Sequence, residues 1–240
     1  MNINQTHVMG IYRDLPEDEY RDLENRILYE DNHIIVFNKR SGEIVQGDKT
    51  GDEPLSETLK AFIAKRDSKP SQVFMGVPHR LDRPVSGVCL FAKTSKALER
   101  LNDMLRTGDI HKTYWALTAN KPPKEEDTLT DFLVRNEKQN KSYIAKNGKE
   151  ARLKYQLIQT TDRYYLLQVT LYTGRHHQIR CQLAGMGCPI KGDLKYGAKR
   201  SNPDGGISLH ARNIQFIHPV KKTEVDVTAP VPDSWKGIQE

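Results

Sequence analysis

The sequence predicts an α+β protein, a mixed and largely antiparallel sheet flanked by helices, in one main domain. Two observations carry that expectation. Between residues 73 and 118 the strand-like segments enclose a single helical one, so strands and helices do not alternate as in a doubly wound parallel sheet, and hairpin-like pairs recur later in the chain. With 240 residues, 37% of them hydrophobic, the chain is long enough to bury a core.

Each element has its own warrant. His33-Ile34-Ile35-Val36-Phe37, after the turn-forming Asp31-Asn32, reads as a strand, as do residues 73–77, 87–92 and 113–118. Residues 55–65 place apolar side chains at 55, 59, 62 and 63, and residues 95–106 place them at 97, 98, 101, 104 and 105, the spacing of a buried helical face. Thr94 suits the N-cap of the second helix and Gly108 its stop. Tyr165, Leu167, Val169 and Leu171 alternate with Leu166, Gln168 and Thr170, a strand packed on one face. That strand runs into Thr173-Gly174-Arg175, and a helix from near His177 to Gly185 packs Ile179 and Leu183. Residues 1–25 read as an acidic arm with a short helix, 26–230 as the main domain and 231–240 as a loose C-terminal tail.

Composition excludes several classes. The longest apolar run, Val88-Cys89-Leu90-Phe91-Ala92, is far too short for a membrane span, and no presequence pattern opens the chain, so a cytoplasmic protein without a membrane partner is expected. Three cysteines without a CxxC pair give neither a disulfide framework nor a cysteine zinc site. His176 and His177 are adjacent and not at a ligating spacing, so no metal is expected. Net charge is +6, but residues 1–31 carry eight acids against three arginines, which moves the positive excess onto the body. Residues 135–154 hold seven Lys or Arg against two Glu, a strip suited to a phosphate backbone or, equally, to a solvated face.

Three stretches carry chemistry. His79-Arg80-Leu81-Asp82-Arg83-Pro84-Val85-Ser86-Gly87 lies between two predicted strands, where a scaffold displays functional groups. Cations at 80 and 83 would keep the Asp82 carboxylate ionised as nucleophile or base, although a turn with an ordinary Asp–Arg pair gives the same pattern. His79, Asp82 and Ser86 crowd too closely for a serine triad. At Thr173-Gly174-Arg175-His176-His177-Gln178-Ile179-Arg180 a strand meets a helix, an arrangement whose backbone donors suit an anion. In Lys112-Thr113-Tyr114-Trp115-Ala116-Leu117 the alternation puts Tyr114 and Trp115 on opposite faces, so one aromatic side packs the core; a tyrosine on the other face could stack on a base, although a core tyrosine is the commoner reading of such a pattern.

Together these stretches resemble the RluA-type family of pseudouridine synthases over roughly residues 27–229. The opening motif is Ile27-Leu28-Tyr29-Glu30-Asp31-Asn32-His33-Ile34-Ile35-Val36-Phe37-Asn38-Lys39, followed by the His79 to Gly87 stretch, the segment around Tyr114, Gly174 to Arg180, Pro189-Ile190-Lys191-Gly192-Asp193 with Tyr196-Gly197, and Leu209-His210-Ala211 with Phe216 and His218-Pro219. The resemblance implies a pseudouridine synthase-like fold and an isomerase acting on uridines of structured RNA, ribosomal or transfer, by flipping the base out of the stack. It implies Asp82 as the catalytic aspartate, Tyr114 against the base, Arg180 paired with Asp82, Ile179 and Leu209 as apolar walls, and Arg80 in the space the nucleotide vacates. Lys138, Lys141, Lys146 and Lys149 are the expected backbone contacts. The isomerisation asks for no cofactor, the partner is RNA, and a monomer is expected. Arg40 replaces the family's proline after the opening-motif lysine, Val85 replaces its threonine before Ser86-Gly87, and no S4-type RNA-binding domain is apparent.

Two other classes compete. A non-catalytic RNA chaperone of the same fold would have no need of Asp82, Tyr114 and Arg180 together. A hydrolase using Asp82 would lack the second carboxylate of a glycosidase and the metal cluster of a phosphoesterase.

Overall fold

The structure, a computed structural model, describes residues 11–68 and 72–239. Among these residues ten strands form one mixed, mostly antiparallel sheet: β1 (Ile27–Glu30), β2 (Ile34–Lys39), β3 (Ser86–Ala92), β4 (His111–Thr118), β5 (Glu126–Asn136), β6 (Lys141–Ile144), β7 (Lys149–Thr160), β8 (Tyr165–Leu171), β9 (Leu209–Ile217) and β10 (Glu224–Thr228). The spatial order is β1-β2-β3-β9-β4-β8-β7-β5-β6, with β10 on β9. Four helices accompany it among the described residues: α1 (Glu17–Asn25), α2 (Leu55–Arg66), α3 (Ser95–Thr107) and α4 (Gln178–Gly185). None is long and apolar enough to cross a membrane.

Local chemistry accounts for the helices. Thr94 accepts a hydrogen bond from Ala97 N at 3.1 Å and opens α3, and Gly108 closes it in the left-handed conformation at φ +84°. Along α2, Leu55, Leu59, Phe62 and Ile63 are buried and join Ile34, Ile35, Val36 and Phe37 of β2 in the main core. Burying β2 on both faces explains its unbroken apolar run.

Among the described residues the one parallel joint is short, pairing Ser86 with His210 and Gly87 with Ala211. Gly87 sits at φ +110°, and a Cβ there would lie 2.2 Å from the Ala211 carbonyl oxygen, so only glycine brings β3 this close to β9. A second irregularity lies in β9, where Thr113 faces Asn213 but Tyr114 faces Ala211, so Arg212 is one residue extra.

Two expectations need correction. Residues 73–77 form no strand; Gly76 makes only an isolated bridge to Ala92. Leu98 fills the space over Gly76, and Pro78, which has no N–H to donate, follows. The C-terminal segment is not loose, because Trp235, 7% exposed, packs with Trp115, Leu117 and Leu166 in a second small cluster. Of the acidic arm, the first ten residues lie outside the described residues; the rest carries α1 and sends Leu15 and Leu23 into the main core.

Candidate active site

The loop from His79 to Val85 leads into β3 and is held from beneath. Lys39, fully buried at the end of β2, donates from Nζ to the carbonyls of Val85 at 2.6 Å, Arg83 at 3.1 Å and Asp82 at 3.3 Å. Burial pushes the Lys39 ammonium down to about 8, and those carbonyls supply the donors' partners that water no longer does. His79 steadies the other end, its Nε2 accepting the Leu90 N–H at 3.0 Å.

Asp82, its side chain 33% exposed, faces a cavity of about 100 Å³ lined by Arg80, Tyr114, Ile179, Arg180 and Leu209 among others. The sequence-predicted catalytic and base-binding residues therefore meet around one space although they come from positions 80 to 209. Tyr114 enters it from β4, where its ladder partner in β9 is the small Ala211. Burial, then the charge of Asp82, push the Tyr114 phenol up, so the ring presents a neutral face. Arg80 is exposed at the rim, and Ile179 and Leu209 are buried walls.

The cation that serves Asp82 is not its sequence neighbour. Arg83 turns away and pairs with Asp52, with Thr50 Oγ1 at 2.8 Å. Arg180, 6% exposed and nearly a hundred residues away, reaches Asp82 Oδ2 with Nη1 at 3.1 Å. Its two-pronged contact goes elsewhere, however: Nε and Nη2 clasp the two oxygens of buried Asp193 at 2.7 and 2.9 Å. Burial works against charge on this guanidinium, but the Asp193 bonds and the charges of Asp193 and Asp82 outweigh it and hold the group above its ordinary value.

Two more residues complete the cluster. His177, in the left-handed conformation at φ +52°, begins α4 with its ring buried. Its Nε2 lies 3.0 Å from Arg180 Nη1 and 3.3 Å from Asp82 Oδ2, and its Nδ1 lies 2.9 Å from Tyr196 Oη. Burial, followed by the Arg180 charge, pushes the imidazole down to about 2, so His177 is neutral and its contact with Asp82 is no ion pair. Tyr196 Oη also accepts the Ser142 N–H at 2.8 Å, and the Arg180 guanidinium lies 5.1 Å over its ring. Asp193, His177 and Tyr196 stand in the recognised sequence blocks without an assigned role. Only the fold brings them to Asp82.

The basic strip is dispersed. Lys138 and Lys146 are exposed in the turns flanking β6, Lys149 is exposed at the start of β7, and Lys141 lies half-buried over the rings of Tyr143 and Tyr196. None of the four lines the Asp82 cavity. Pairing places Lys149 opposite Leu133 on the side that carries α4, whereas Arg152 and Lys154 alternate onto the other side. The seven cations do not form one path.

The family model described as RNA pseudouridylate synthase matches residues 33–185. Ribosomal large subunit pseudouridine synthase C of Vibrio cholerae is 33% identical over 216 residues, 88% of this chain and 67% of that protein. Ribosomal large subunit pseudouridine synthase D of Xylella fastidiosa is 31% identical over 227 residues, covering 89% and 68%. In the solved structure titled Human RNA Pseudouridylate Synthase Domain Containing 4 the same fold recurs, with a TM-score of 0.77 at 23% identity over 90% of this chain and 92% of that one.

Proposed function

Because the chain belongs to the RNA pseudouridylate synthase family, we propose that it converts uridines of ribosomal RNA to pseudouridine with Asp82 as the reacting carboxylate. Ribosomal RNA is preferred to transfer RNA because the relatives are named for the ribosomal large subunit. The observation that carries the role of Asp82 is its place in the one cavity that Tyr114, Arg180, Arg80, Ile179 and Leu209 share.

The reaction breaks the bond between N1 of uracil and the ribose C1′, turns the base, and joins C5 to C1′. The C5 proton is lost and N1 is protonated, so no redox partner or group donor is consumed. A carboxylate beside the ribose serves either route, attack at C1′ or proton abstraction that leaves a glycal. Reaching the cavity requires unstacking the base, at a cost of a few kcal/mol. Tyr114 offers a ring for the extruded uracil, Ile179 and Leu209 exclude water around it, and Arg80 at the rim fills the gap it leaves. Lys138, Lys141, Lys146 and Lys149 attract the backbone, and residues 26–230 form the catalytic body on which both flanks pack.

The test is to incubate the protein and its Asp82→Asn variant with an unmodified large-subunit ribosomal RNA transcript and to score pseudouridine and free uracil. Pseudouridine from the wild type alone is expected. Released uracil would mark a hydrolase, and binding without either product a non-catalytic RNA-binding protein.

A further inference from the structure

Beside the catalytic cavity, and sharing Arg175 with it, lies a groove of about 400 Å³ whose lining includes Arg135, Ser142, Lys149, Gly174 and His176. The partition between the two spaces is a pair of stacked rings: His177 faces Asp82, His176 faces the groove, and their centroids are 3.8 Å apart.

The lining of this groove includes two arginines and a lysine but no carboxylate. A cavity near the N-terminal helix shows the ordinary alternative. There Arg13, Arg26 and Arg40 lie among Glu19, Asp22, Glu43, Asp52 and Glu53, and each arginine is paired. In the groove, Lys149 has no ion pair among the described residues. Arg135 reaches only the Asn140 side chain, at 3.5 Å. Arg175 spends Nε on the Glu150 carbonyl at 2.8 Å, leaving its two terminal nitrogens for an outside acceptor. Converging cations that the protein itself does not neutralise are matched by a polyanion.

We propose that this groove is a phosphate subsite in which Arg135, Lys149 and Arg175 hold the phosphodiesters next to the extruded uridine. The inference rests on the assignment of the uridine to the Asp82 cavity. It divides the labour among the basic residues: the groove grips the strand at the reacting nucleotide, and Arg175 reports to both spaces. Backbone capture at this point would also help to hold the nucleotide out of the stack.

The test compares wild type with an Arg135→Gln/Lys149→Gln/Arg175→Gln variant in binding a labelled oligouridylate of about a dozen nucleotides over a range of KCl. Loss of three contacts lowers the slope of log affinity against log salt by about 2, so the two proteins differ about sixteen-fold more at about 50 mM than at about 200 mM. Lys96→Gln/Arg163→Gln/Lys222→Gln, on exposed residues elsewhere, removes the same three charges and controls for net charge, and Arg135→Lys/Arg175→Lys should keep the slope, since charge is retained. A methylphosphonate oligouridylate, with an uncharged backbone, should bind wild type and triple variant alike. The proposal is overturned if the triple variant's slope changes no more than the control's, if the lysine variant loses the slope as fully as the glutamine variant, or if the uncharged oligomer still distinguishes the proteins. Pseudouridine formation by the wild type is scored separately on the ribosomal transcript: its absence would defeat the Asp82 reading, while the slopes decide the groove.

Discussion

In the Asp82 cavity Arg180 is 6% exposed and bonded to two carboxylates, whereas in the adjoining groove Arg135 and Lys149 stand at the surface without an ion pair among the described residues. The difference separates two uses of positive charge. A desolvated guanidinium clasped by Asp193 is a fixed piece of geometry, costly to disturb because its partners cannot fall back on water. Surface cations act over a Debye length, are screened by salt, and are individually replaceable. Substitutions in the first region should therefore be felt in turnover and folding, and in the second in salt-dependent affinity.

The comparison is sharpest at Asp82. Asp82→Asn is expected to abolish isomerisation while RNA affinity stays within about tenfold, because the amide keeps the shape and loses the reactive oxygen. Substantial turnover by the folded variant would remove Asp82 from the mechanism. Next is Arg180→Lys, which keeps the charge but cannot bridge Asp193 and Asp82 at once; turnover should fall roughly a hundredfold or more with modest loss of RNA affinity. Near-normal turnover would show that a point charge suffices.

Asp193→Asn tests the buried pair from its other side. Leaving Arg180 desolvated and half-partnered should destabilise the fold by about 3–5 kcal/mol, seen as a drop in melting temperature of roughly 10 °C. A melting temperature near wild type would place the value of the pair in orientation alone. The neutral rings give a gentler handle. Burial holds His177 at about 2 and His79 at about 3, against about 6.5 in the unfolded chain. The unfolded state thus binds protons that the folded state refuses. Stability is complete above pH of about 6.5 and falls as pH drops toward the folded values, by up to about 1.4 kcal/mol per pH unit for each ring. Equal melting temperatures at pH of about 7.5 and about 5 would mean that both rings accept protons while folded. The smallest effect belongs to the turns: Lys138→Gln/Lys146→Gln should flatten the salt slope by no more than about 1.4 and leave the melting temperature in place.

Much of the fold was legible where the pattern is local and periodic. The helix expected over 95–106 is α3, with Thr94 and Gly108 at its ends, and the strand over 165–171 is β8. Residues 73–77 failed because their apolar content reflects packing under α3 and not a ladder, which propensity cannot distinguish. At the site, the recognised sequence blocks named the residues, and the fold brings Asp82, Tyr114 and Arg180 to one cavity. What could not be read was which partner each charge takes. Adjacency suggested Arg83 for Asp82, yet side-chain direction sent it to Asp52, and the clasp between Arg180 and Asp193 exists only once α4 and the segment after it are folded together.

The extra residue in β9 is a slack position. Leu209, Ala211, Ile214 and Phe216 lie on one face of the strand although Ala211 and Ile214 are three positions apart, because the bulge at Arg212 absorbs the odd residue. Remove Arg212 and plain alternation would keep the same four side chains in phase, with Thr113 and Tyr114 still opposite Asn213 and Ala211. What the bulge supplies is the Arg212 side chain itself, held 4.6 Å over the Trp115 ring, so in a lineage of such sequences the strand could lose this one residue between Leu209 and Ile214 without turning over.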